Sequence, residues 1–151
     1  SEGQRDRAEA ICQRAEAEGA RAVTGGRKLN QPGYFLEPTV FDGVTETMNI
    51  AQEEVFGPVL SVMKFSSDEE ALRIANGTEY GLVAGVFTRD LDRATAAAQK
   101  LRAGQIYVNE WFAGGVETPF GGFGKSGYGR EKGREALYNY VQTKNIGIAL
   151  G

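Results

Sequence analysis

A chain of 151 residues, 41% apolar and 25% charged, has the length and composition of one folded domain with a real core rather than a disordered segment. Its net charge of −3 removes the electrostatic case for nucleic acid or an anionic membrane as partner. One cysteine and no histidine exclude a disulfide framework, the commonest zinc ligand and the usual acid–base side chain, so no metal is expected and the cytoplasm is the default compartment. The longest apolar run, near residues 80–87, is too short to span a bilayer, and no charged-then-apolar leader is seen at the start.

The opening SEGQRDRAEAICQRAEAEG predicts a helix. Ser1 and Gln4 have capping-box spacing, Ala8, Ile11, Cys12 and Ala15 form an apolar stripe, and Gly19 is a natural stop. ARAVTGG is a short strand candidate ending in a glycine turn, and Gln31 to Gly33 is a further turn into the β-like GYFLEPTVF. PVLSVMKF predicts a buried strand, and SSDEEALRIANG a helix with Ser67 and Glu70 as its capping box. YGLVAGVFT predicts a second strand. RDLDRATAAAQKLRAG predicts a helix, started by Asp90 or Asp92 and striped by Leu91, Ala94, Ala98 and Leu101; QIYVNE is a third strand. Strand–helix–strand–helix–strand at this spacing predicts an α/β fold with a parallel sheet flanked by helices. A long glycine-rich loop, a helix near residues 130–141 and a last strand, KNIGIAL, complete the chain.

The loop PFGGFGKSGYGRE contains both G-x-G-x-x-G and G-K-S. A phosphate loop needs a glycine at position 119, where Pro119 has a fixed φ and no amide hydrogen. A dinucleotide fingerprint needs a strand running directly into the glycines and an acid about 20 residues on. The nearest strand ends near Asn109, and VQTKNIGIAL holds no acid. Spacing alone leaves a turn-rich loop entering a helix.

The order of motifs is more specific. EEVFGPVLSV, NGTEYGLVAGVFTRD, AGQIYVN, PFGGFGKSGYGREKG and YVQTKNI, preceded by GGRKLNQPGYFLEPTVF, resemble the C-terminal portion of the NAD(P)-dependent aldehyde dehydrogenases from Gln4 to Ile148. The resemblance implies oxidation of a small-molecule aldehyde to its acid with NAD or NADP. A cysteine thiolate forms a thiohemiacetal, hydride passes to the nicotinamide, and a glutamate-activated water hydrolyses the thioester. In the family those two residues and the dinucleotide domain precede the matched region. This chain is therefore expected to be a fragment, inactive alone, with residues 1–143 as part of the catalytic domain and 144–151 as an oligomerisation strand.

Cys12 lies on an apolar helix stripe and reads as core filler, not as a nucleophile. A carboxylate on the Phe-Gly-Pro turn after Glu53-Glu54 can accept from two ribose hydroxyls, and a ring two residues on can lie against a heterocycle; the same residues also suit a solvated acid pair beside a core ring. By resemblance, Glu54 and Phe56 match the cofactor-binding pair. Glu131 complements the dipole of the last helix; by resemblance to betaine-aldehyde-type relatives it relays protons. Trp111, Phe112 and Phe120 suit an apolar substrate funnel or ordinary packing. Many relatives carry lysine at the position of Gly124, whereas here it is Lys125. KNIGIAL resembles the family's inter-subunit strand and implies a homo-oligomer. The rival reading is a non-catalytic α/β assembly module that binds no dinucleotide.

Overall fold

In the computed structural model, which describes residues 1–112 and 114–151, helix α1 spans Glu2–Ala17 and buries Ala8, Ile11, Cys12 and Ala15. That is the stripe expected from the sequence. Ser1 Oγ accepts from the Gln4 amide at 3.4 Å. Only this half of the capping box forms, because the Gln4 side chain is drawn away to the carbonyls of residues 55 and 56. The chain divides into two units, Ser1–Thr78 and Glu79–Gly151.

In the first unit, α1 shares a core with a three-stranded sheet of order β1–β2–β3, where β1 is Arg21–Thr24, β2 is Thr39–Asp42 and β3 is Val59–Ser61. Strands β1 and β2 are antiparallel, and β2 and β3 are parallel. Phe41 of β2 is fully buried in this core. Burying such a ring contributes about 2–3 kcal/mol relative to leaving it in water. Buried Thr39 joins two turns: its hydroxyl accepts from the Gly26 amide at 2.8 Å and donates to the Glu37 carbonyl at 2.7 Å. Helix α2 (Asn49–Gln52) follows Met48, which supplies no side-chain cap. The cap comes from α1's end. Glu18 Oε2 accepts from the Asn49 amide at 2.8 Å, while its other oxygen accepts from Arg14 Nε at 2.8 Å. Helix α3 (Asp68–Ala75) starts at Ser67, whose hydroxyl accepts from the Glu70 amide at 3.2 Å. Glu70 reaches past Ser67 to the amide and hydroxyl of Ser66.

In the second unit, β4 (Val83–Val86) and β5 (Gln105–Val108) pair in parallel across helix α4 (Leu91–Lys100), with Gly85 opposite Tyr107. Asp90 caps α4 by accepting from the Arg93 amide at 3.0 Å.

The fold is mixed α/β with small sheets, and it departs from the expectation of one parallel sheet. Strand β3 pairs in parallel with β2, whereas β4 pairs with β5 in a separate two-stranded sheet. PVLSVMKF yields three strand residues, and Leu60, Val62 and Phe65 are exposed rather than buried. Helix α3 buries no residue among those described. On α4 only Ala94 is fully buried, and Leu91 is 77% exposed. The helix expected at 130–141 is a short 3-10 segment, Arg134–Asn139. Positive φ at Gly129, Lys132 and Gly133 is incompatible with an α-helix there. KNIGIAL forms no strand among the described residues, and Ile146, Ile148 and Leu150 are exposed. A strand exists only when another strand pairs with it. No helix is long and apolar enough to cross a membrane among the described residues.

Two predictions follow from this packing. Burial, helped by the Glu16 carboxylate, pushes the Cys12 thiol up, so it should be alkylated at the rate of global unfolding. Rapid labelling of the native protein by iodoacetamide would contradict the buried placement. Hydrogen bonds from Arg14 and the Asn49 amide hold the Glu18 carboxyl below its usual range. A depressed native pKa stabilises above the unfolded value and is lost as pH falls through the native one. Glu18→Gln should therefore lower Tm near neutrality, with the gap to wild type closing on acidification; a gap independent of pH would refute it.

Candidate cofactor and substrate site

Glu54 and Phe56 stand on the turn between α2 and β3. Val55 is buried beneath the turn, while Glu54 and Phe56 face outward, the phenylalanine 72% exposed. Gln4 Nε2 donates to the Phe56 carbonyl at 2.8 Å and lies 3.4 Å from that of Val55. Phe56 has φ +54, a left-handed conformation that costs a bulky residue on the order of 1–3 kcal/mol. Next to it, Gly57 passes so close to α1 that a Cβ would lie 3.3 Å from that of Ala8. The turn is held on three sides: by Gln4, by buried Val55 and by the Pro58 carbonyl, which accepts from the Thr39 amide at 2.8 Å.

The two acids differ. Glu53 lies 3.9 Å from Arg7 Nη2, whereas Glu54 has no ion-pair or hydrogen-bond partner among the described residues. Glu54 thus offers a carboxylate with all its acceptor sites open, two residues from an exposed ring. That set suits a ligand carrying adjacent hydroxyls and a flat heterocycle.

The remaining candidates belong to the second unit. β5 is followed by Asn109 with φ +56, and its side chain extends the β4–β5 ladder. Oδ1 accepts from the Thr88 amide at 2.8 Å, and Nδ2 donates to the Thr88 carbonyl at 2.8 Å. The chain then delivers Trp111 and Phe112 to an aromatic group around buried Tyr107. Ring centroids are 6.0 Å apart for Tyr107–Trp111, 5.9 Å for Tyr107–Phe112 and 6.4 Å for Phe112–Phe120. Rings at these separations attract one another as well as burying area. Trp111 and Phe112 remain more than half exposed, and Phe120 is half-buried. Ala113, in the same segment, lies outside the described residues.

Glu131 is exposed and does not open an α-helix. It forms an antiparallel bridge with Phe120, each amide donating to the other's carbonyl at 2.7 Å. The structure thereby brings Glu131 beside Phe120 in the chain's own hydrogen-bond network. Helix-dipole complementarity no longer accounts for its position.

Several amides of the glycine loop between them are spent within the protein. Phe123 N donates to the Gly81 carbonyl at 2.9 Å, Lys125 N to that of Glu79 at 2.8 Å, and Gly127 N to that of Gly124 at 3.1 Å. The Ser126 hydroxyl accepts from the Gly81 amide at 3.1 Å, and Lys125 Nζ pairs with Glu79 at 2.5 Å. A phosphate cradle needs such groups free. At Gly124, φ is +58 and a Cβ would strike the Glu79 carbonyl, so any side chain at this position would be strained in this backbone.

A cleft of about 520 Å³ lies elsewhere in the second unit, walled by Phe87, Leu91, Ala94 and Val108 with Thr88, Arg89 and Asn109. None of the aromatic or acidic candidates lines it. Two residues that position the candidates escape the sequence reading. Gln4 was hidden by its capping-box spacing. Asn109 left a faint signal, since asparagine ending a strand is a common left-handed residue.

Residues 1–146 match the aldehyde dehydrogenase family. The chain is 46% identical over all its residues to a betaine aldehyde dehydrogenase of Cereibacter sphaeroides, covering 31% of that protein. It is 50% identical over 129 residues to aldehyde dehydrogenase 1 of Tanacetum cinerariifolium, covering 85% of this chain and 26% of that one. Among solved structures, a variant betaine aldehyde dehydrogenase of Staphylococcus aureus in complex with NAD+ aligns with TM-score 0.93 at 39% identity, over 97% of this chain and 30% of that one. An indole-3-acetaldehyde dehydrogenase of P. syringae in complex with NAD+ and IAA gives TM-score 0.93 at 45% identity, over 98% and 30%. The chain spans about a third or less of the length of these relatives. With this match over nearly its whole length, the chain belongs to the aldehyde dehydrogenase family.

Proposed function

We propose that residues 1–143 are the C-terminal portion of the catalytic domain of a cytoplasmic enzyme that oxidises a small-molecule aldehyde to its carboxylic acid with NAD+ or NADP+. The observation that carries the reading is Glu54, unpaired among the described residues and set two positions from the exposed ring of Phe56. The carboxylate accepts from the two hydroxyls of the nicotinamide ribose, and the ring lies against the nicotinamide. When bound, the dinucleotide supplies the hydride acceptor. Solved relatives of this fold are complexes with NAD+, which supports that cofactor class.

The sole cysteine is buried, so the attacking thiolate comes from residues outside this chain, as does the general base; the chain alone is inactive. Trp111, Phe112 and Phe120 line the approach of the aldehyde's apolar tail. Glu131, bridged to Phe120, passes protons toward the hydrolytic water, and Lys144–Gly151 pairs with a neighbouring subunit's sheet in a homo-oligomer.

In the intact protein, Glu54→Ala should weaken NAD+ binding at least about tenfold by fluorescence titration, the worth of a hydrogen-bonded carboxylate. Glu131→Gln should leave that affinity alone and slow only thioester hydrolysis in single-turnover kinetics. Indifference of the wild type to every nicotinamide nucleotide would favour the assembly-module reading. Deletion of Lys144–Gly151 should reduce the oligomer mass by light scattering; retention of the native mass would end the proposal for that strand.

A further inference from the structure

Trp111 is exposed over half its surface, yet its position is not set by its own loop. An ideal Cβ placed on Gly85 would lie 2.9 Å from Trp111 Cζ3 and 3.2 Å from Cε3, with Phe87 Cε2 at 3.4 Å. The six-membered edge of the indole therefore rests against the β4 backbone at the one strand position that has no side chain to hold it off. On the same row of the ladder stands Tyr107, opposite Gly85 in register, whose ring centroid is 6.0 Å from that of Trp111. Strand β4 has Val83, Ala84 and Val86 at its other positions. Glycine weakens a strand interior, and a close approach by another group is a standard physical reason for finding it there. No positive φ is needed at this position, so the requirement is for space and not for backbone freedom.

The second anchor is the point from which the loop departs. Asn109 closes two side-chain bonds onto Thr88 and donates its own amide to the Val86 carbonyl at 2.8 Å. Two residues later the indole lands on Gly85. The launch point and the landing point are thus both fixed by β4.

We infer that Gly85 is a specificity-determining position: the missing side chain lets Trp111 lie back against β4, and the space left in front of the ring sets the girth of the aldehyde tail that can pass. This rests on the reading of Trp111, Phe112 and Phe120 as the substrate approach. Any side chain at position 85 lifts the indole toward that approach and narrows it. Gly85 acts through Trp111 and touches no substrate itself.

The test is Gly85→Ala in the intact protein, with Trp111→Phe as a second variant that leaves the strand untouched. The chain has one tryptophan; a Gly85→Ala/Trp111→Phe pair isolates its emission from any other in the intact protein. Gly85→Ala should shift that emission and change its acrylamide quenching. It should also lower the ratio of kcat/KM for a bulky aryl aldehyde over propanal by about tenfold, the scale for a methyl group's worth of room. Trp111→Phe should raise the ratio, and in the double variant the alanine penalty should largely disappear. Unchanged emission in Gly85→Ala would overturn the inference, as would a penalty that persists without the indole. A shifted emission with a constant ratio in both single variants would instead remove the substrate-approach reading, and the specificity role with it.

Discussion

One side-chain amide governs the acidic turn. Gln4, on the first turn of α1, donates to the carbonyl of Phe56 and reaches that of Val55. A phenylalanine at φ +54 is strained, and this bond, with buried Val55 and the Pro58 carbonyl's bond from Thr39, helps to offset the strain. The strain is tolerable because α1 is itself firmly seated. Its apolar stripe covers Phe41, and its C-terminal Glu18 caps the next helix. Core burial thus seats α1, and α1 places Gln4 as one of the three supports of the turn that displays Glu54.

The second unit uses a different economy. Its buried apolar side chains, among the described residues, are Ala94 and Tyr107. Its geometry rests on backbone and side-chain hydrogen bonds more than on a core. Asn109 prolongs the β4–β5 ladder, Ser126 and Lys125 tie the glycine loop to the start of β4, and Phe120 and Glu131 bridge across the loop's ends. Such bonds define direction well, each with a net worth of only about 1 kcal/mol. This is a suitable way to aim aromatic rings and a weak way to stabilise a domain.

The glycine-rich loop shows how the same residues acquire meaning from their partners. Read as letters, Gly-Lys-Ser suggests phosphate. In the fold, the lysine is neutralised by Glu79 and the serine accepts from Gly81. What glycine supplies at position 124 is a left-handed backbone against the Glu79 carbonyl, a steric need and not a ligand-binding one.

Much was legible in the sequence alone. The α1 stripe, the starts of α3 and α4, the β4–α4–β5 unit and the family all follow from local pattern, because helix periodicity, capping spacing and motif order are properties of neighbouring residues. Strand partnership was not legible. β3 joins β2 instead of β4, and KNIGIAL forms no ladder among the described residues, since pairing is decided by which backbone edges meet in space. Nor could spacing show that Glu131 bridges Phe120 instead of starting a helix, because positive φ at Lys132 and Gly133 emerges only when the loop closes. The chain's letters named Glu54, Phe56 and Trp111; tertiary structure alone decided what holds them, a glutamine from α1 and a bare glycine on β4, because those contacts join residues far apart in sequence.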